Sequence, residues 1–184
     1  MEGRFTLTIT PLLLLGADQE EKMTLKAKQT TGRVVLVHLD EIQSLVVQQE
    51  VIDKFKAIPL DGHTTVVIFS SPQAILNKTF LWKAFLTWLI ENNRLSMVCL
   101  DEVHLFVHFG MTFRNEFKKL MPILFDKLKV PGFSYRTKIP LLFMTGTCSK
   151  SIVTMIEKIT GIGFNTDDNV FWPPASEMKH RHVF

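Results

Sequence analysis

At 184 residues, with 46% hydrophobic and 21% charged residues, the chain holds enough apolar material for one sizeable core and is not broadly disordered. Its formal net charge of +3 is spread rather than massed in one run, so it permits nucleic-acid binding without requiring it. The two cysteines, Cys99 and Cys148, lie in or beside apolar runs and outside any CxxC pair, which excludes a zinc or disulfide framework and fits buried thiols in an intracellular protein.

In chain order, Phe5–Ile9 reads as the first strand. Pro11–Lys28 follows as a helix, with proline in its first turn, where its missing N–H costs nothing. Within it Leu12–Leu15 is greasy but too short to span a bilayer, and it lacks the flanks of a secretory signal. Val34–Leu39 is the second strand. Asp40–Ala57 is a helix with an acidic cap candidate at its start. Thr65–Phe69 is the third strand, followed by the Ser-Ser-Pro-Gln turn 70–73. Thr79–Asn92 is a helix with Leu81, Trp82, Phe85, Leu86 and Leu89 on one face. Leu95–Leu100 is the fourth strand, Phe113–Leu128 a helix and Pro140–Met144 the fifth strand. Ser149–Thr160 is the last helix, with Ser149 as its cap and Gly161 as its stop.

Strand and helix thus alternate, and several strands are continuous apolar runs. Both features predict a parallel sheet with helices on both faces, an α/β fold. Residues 1–165 make one lobe. Residues 166–184, with Trp172-Pro173-Pro174, read as a short strand and an exit linker.

In an open parallel sheet, ligands bind outside the carboxyl ends of the strands. After the fourth strand stand Asp101-Glu102-Val103-His104. Two adjacent carboxylates at the end of a buried strand cost desolvation energy unless something compensates, and a hard cation held through oxygen does so. Alone, the pair has an equally good bland reading, a helix cap with a first-turn acid. The remaining histidines show no metal-ligand spacing, and Trp82, Phe85 and Trp88 at helical spacing read as core.

The neighbours of the box decide between these readings. Asp101–Phe117, DEVHLFVHFGMTFRNEF, resembles motif II of superfamily 2 DEAD/DEAH-type helicases, and among them the RecQ-like enzymes. There a D-E-x-H box runs without a gap into an aromatic-rich loop that ends in an aromatic-Arg pair, here Phe113-Arg114. Three more segments follow the family's order. Thr8-Ile9-Thr10-Pro11-Leu12 with Asp18-Gln19 resembles motif Ia, and Phe69-Ser70-Ser71-Pro72-Gln73 resembles motif Ib. Phe143-Met144-Thr145-Gly146-Thr147 resembles motif III.

The resemblance implies the first RecA-like lobe of an ATP-dependent helicase acting on DNA in the 3′–5′ direction. It implies that Asp101 holds Mg²⁺ through water, and that Glu102 orients or activates the attacking water. His104 with Thr145, Gly146 and Thr147 would couple that site to the nucleic acid. Thr10, Pro11, Gln19, Ser71, Pro72, Phe109, Phe113 and Arg114 would face the strand, by small hydroxyls and helix-end amides or by stacking. ATP and Mg²⁺ are the implied cofactors of the complete motor. Single-stranded DNA and a second RecA-like lobe are the implied partners, and a membrane is not among them. The implied compartment is intracellular, the nucleus in a eukaryote.

The sequence departs from the family in places. Phe109 stands where Trp is usual, Met111-Thr112 where His-Asp is usual, Gln73 for Glu and Gly146 for Ala. No Gly-Lys-Ser or Gly-Lys-Thr phosphate-binding loop occurs in these residues. The expectation is therefore a motor fragment with no appreciable ATPase of its own. The alternative is a catalytically dead lobe kept as a nucleic-acid- or protein-binding module.

Overall fold

The structure, a computed structural model, describes residues 5–10, 33–59, 64–108, 115–116, 119–132, 137–146 and 149–164. Five strands are present: β1 (Phe5–Ile9), β2 (Arg33–His38), β3 (Thr64–Ser70), β4 (Leu95–Leu100) and β5 (Leu141–Phe143). They form one sheet in the order β2-β3-β1-β4-β5. Every pairing is parallel. This is an α/β architecture, consistent with the RecA-like lobe that the motifs imply.

Continuous apolar runs become strands because both of their faces are covered. Val66 through Ser70 are all buried in β3, and Phe5, Leu7, Thr8 and Ile9 are buried in β1. A sheet open to water on one face would show alternation instead. The strands predicted at Phe5–Ile9 and Leu95–Leu100 have those limits, and the other three differ by one residue at their ends.

The helices are α1 (Leu45–Lys56), α2 (Pro72–Leu76), α3 (Trp82–Glu91), α4 (Val103–His108), α5 (Asp126–Leu128) and α6 (Lys150–Thr160). Of the predicted core face of α3, Trp82, Phe85, Leu86 and Leu89 are buried, while the helix starts three residues later than expected and Leu81, just before it, is half-buried. Helix α6 starts and stops as its sequence dictates. Ser149 Oγ accepts from the Ile152 N–H, and Gly161 closes the helix at φ 64°. That left-handed conformation suits glycine because a Cβ strains it.

Two predicted helices are corrected. The helix expected over Asp40–Ala57 begins only at Leu45, and Leu39–Glu41 forms a 3₁₀ turn before it. Asp40 is drawn away because its carboxylate serves the neighbouring strand end. Where a continuous helix was expected up to Leu128, Met121–Phe125 is a π-helical turn. Pro122 lies in it and has no N–H to give to a regular ladder. The segment after β3, read as a turn, is the short helix α2 with Pro72 in its first turn. The helix expected over Pro11–Lys28 and the tail 166–184 lie outside the described residues. No helix among the described residues is long and apolar enough to cross a membrane.

Candidate functional site

Because the strands are parallel, all five carboxyl ends open on one edge of the sheet. The chain leaves β1 towards β2 on one side and leaves its neighbour β4 towards β5 on the other. Adjacent strands whose connections diverge leave a crevice between them, and such switch points are where open α/β sheets bind ligands. Thr10 ends one of these strands, and Asp101-Glu102 ends the other.

A row of hydrogen bonds ties the strand ends together. The Thr10 N–H donates to Ser70 O at 3.0 Å, and the Asp101 N–H to Ile9 O at 2.9 Å. The Met144 N–H donates to Leu100 O at 2.8 Å, and the Val103 N–H to Met144 O at 2.9 Å. At the far side Asp40 Oδ2 accepts from the Ser71 N–H at 2.8 Å, and its other oxygen accepts from the Ser71 hydroxyl. The described parts of the segments picked from sequence as motifs Ia, Ib, II and III thus meet on one edge.

The acid box has a distinct geometry. Asp101 Oδ1 accepts from the Glu102 N–H at 2.9 Å. Glu102 has φ 48°, a left-handed conformation that an L side chain rarely adopts. Such strain persists only where the surroundings enforce it, and it collects at functional positions. The following helix, α4, then starts at Val103. Asp101 thus accepts from the amide of its own neighbour at the entrance to α4.

His104 Nδ1 lies 2.7 Å from Thr145 Oγ1 and joins the box to the segment after β5. Glu102 Oε2 is 3.1 Å from the same nitrogen. That oxygen is buried and makes no hydrogen bond, while the nitrogen is bonded to Thr145. A buried carboxylate oxygen without a donor is costly and is relieved by a cation, a proton or a water. The negative charge of Asp101 also reaches back along β4. Burial pushes the Cys99 thiol above its ordinary range, a hydrogen bond with Thr8 opposes this, and Asp101 adds to it.

The His104–Thr145 bond has a measurable consequence. Changing both residues, His104→Ala with Thr145→Val, is expected to cost about 1 kcal/mol less than the sum of the single changes. Urea unfolding of the four proteins measures this. Additivity within about 0.3 kcal/mol would show that the bond does not form in solution.

The structure distributes the other expected site residues unevenly. Asp101, Glu102, His104, Thr145, Thr10, Ser71 and Pro72 are gathered on the strand-end edge, with Gly146 exposed beside Thr145. Thr10, Ser71 and Pro72 are buried. Ser71 Oγ also caps α2 by accepting from the Ala74 N–H at 3.2 Å, so its hydroxyl and amide are both engaged. Pro11, Gln19, Phe109, Phe113, Arg114 and Thr147 lie outside the described residues. Sequence reasoning missed Asp40 as the partner of Ser71. The available signal was its place just beyond a strand, where an acid faces the neighbouring strand end. It also missed the pairing of Gln73 Nε2 with Glu116 Oε2 at 2.7 Å, which joins motif Ib to the residues after the motif II loop.

No protein-family model matches the chain, and no curated protein matches it. Among solved structures it is similar to the helicase domain of Pyrococcus furiosus Hef, at 13% sequence identity and a TM-score of 0.30. That similarity covers 88% of this chain and 34% of the other, so the chain spans about a third of that domain's length.

Proposed function

We propose that the chain is a helicase-type lobe, RecQ-like in its motif II, that takes a nucleic-acid strand across the carboxyl edge of its sheet. The observation that carries this reading is the 2.7 Å bond from His104 to Thr145. The resemblance to helicase motifs II and III implies the pairing of those residues, as the link between a hydrolytic box and a strand-sensing segment. They lie on different strand ends and meet in space.

The donor set fits a magnesium ion held in the manner of an ATPase. Among the described residues there is no cluster of three or more metal-ligating side chains. Mg²⁺ does not need one. It binds through one or two carboxylates and completes its shell with water and phosphate oxygens. Asp101 would hold it, and the ion would neutralise charge on the phosphates. Glu102 has a strained backbone and a buried oxygen without a hydrogen bond, which suits a group that orients a water. His104 holds the Thr145 hydroxyl and makes the position of the box depend on the segment after β5. ATP hydrolysis and strand separation belong to the complete motor, in which a phosphate-binding loop and a second RecA-like lobe join this one. The strand is DNA on the RecQ-like reading.

A hydrolysis assay with and without dT20 tests this division of labour. The chain is expected to show no dT20-stimulated turnover, with Glu102→Gln indistinguishable from it. Robust turnover lost in Glu102→Gln would overturn the division and make the chain an ATPase in its own right.

A further inference from the structure

Ser71 opens the motif Ib turn, yet its hydroxyl and its N–H are both taken by Asp40. A carboxylate thus already occupies the place at which a phosphate would approach that residue. The cationic surface lies further along. Beyond α2 a groove of about 700 Å³ is lined by Lys78, Lys83 and Lys119, with Leu76 in its wall and Gln73 and Glu116 among its lining residues. All three lysines are exposed. Ion pairs among the described residues engage Lys127 and Lys129, not these three. Among the described residues the groove's one carboxylate, Glu116, is held by the Gln73 amide.

We infer that this lysine-lined groove, rather than the Ser71 turn, carries the phosphodiester backbone of a single strand. The inference rests on the strand-binding reading above and says where the charge for it comes from. Three ammonium groups against one occupied carboxylate leave a net positive channel. Lysine acts on phosphate as a point charge on a flexible stem and needs no fixed angle, which suits a backbone read without regard to sequence. The groove begins at Gln73, two residues beyond Ser71, and crosses to the segment that follows the aromatic-rich loop.

The test compares two triple variants with the unaltered chain. One is Lys78→Gln, Lys83→Gln and Lys119→Gln. The other, Lys54→Gln, Lys150→Gln and Lys158→Gln, removes the same charge from exposed positions on α1 and α6. Binding of fluorescein-labelled dT20 is followed by anisotropy across a salt series. Each phosphate contact to a single strand contributes about 0.7 to the slope of log affinity against log salt. The groove variant is therefore expected to lose about 2 from that slope and to bind at least about tenfold more weakly at low salt. The control triple should keep the slope of the unaltered chain. Equal losses in both triples, or no loss in the groove variant while the unaltered chain binds, overturns the groove. If the unaltered chain fails to bind dT20 at all, the strand-binding reading falls and takes the groove with it. Polyglutamate displacing dT20 at equal concentration overturns the assignment in favour of an acidic protein partner.

Discussion

Phe85→Ala is expected to destabilise the lobe by about 3–5 kcal/mol, the range for truncating a buried phenylalanine. Phe85 is 2% exposed and is the hub of an aromatic cluster. Its ring lies 6.2 Å from Phe5 edge-on, 6.1 Å from Phe55 and 6.3 Å from Trp88 in a stack. Those partners come from β1, α1 and α3 itself, so one side chain joins the central strand to two helices. The deletion leaves a cavity that rings held by three elements cannot collapse to fill. A domain of this size has only about 5–15 kcal/mol of stability in total. The urea midpoint should therefore fall steeply with little change in slope. A loss below about 1 kcal/mol would show that the cluster is not packed as described.

Asp40→Ala is expected to cost about 2–4 kcal/mol, because it strips two buried donors of their acceptor at once. The Ser71 N–H and the Ser71 hydroxyl both give to that carboxylate, and Ser71 is 5% exposed. Asp40→Asn should lose less, since its amide oxygen still accepts from one donor. Amide exchange at Ser71 reads the same contact locally and should quicken most in the alanine variant. An alanine variant within about 0.5 kcal/mol of the unaltered chain would mean that Ser71 finds other partners, as a surface substitution would allow.

These two residues also show what the sequence makes legible. Phe85 was readable because helical spacing places Trp82, Phe85, Leu86 and Leu89 on one face, and burial follows from that face. The strands were readable because parallel strands covered on both sides must be continuous apolar runs. Asp40 was readable as a polar residue at an element boundary but not as the partner of Ser71, 31 positions away. Local propensity favours an acid at a helix start, and a through-space contact overrode it. Leu45, Val46 and Val47 are 49%, 68% and 43% exposed, although their apolar character argued for burial.

The candidate site was legible in its members rather than in its joints. Motif order named Asp101, Glu102, His104 and Thr145. Nothing in the letters D-E-V-H announces a positive φ at Glu102, because backbone strain is set by the elements on either side. The lysine groove was invisible for a related reason. Lys78, Lys83 and Lys119 are scattered in sequence, and only the packing of α2 and α3 against the segment around Lys119 draws them together. Spread charge in the sequence became local charge in the fold.

The most direct test of the account is an anisotropy titration of labelled dT20 against the unaltered chain, repeated from low to physiological salt. The account predicts binding that weakens linearly in log affinity against log salt and reaches a Kd of about 10⁻⁴–10⁻⁶ M at physiological salt. No binding at low salt, or binding indifferent to salt, would contradict it.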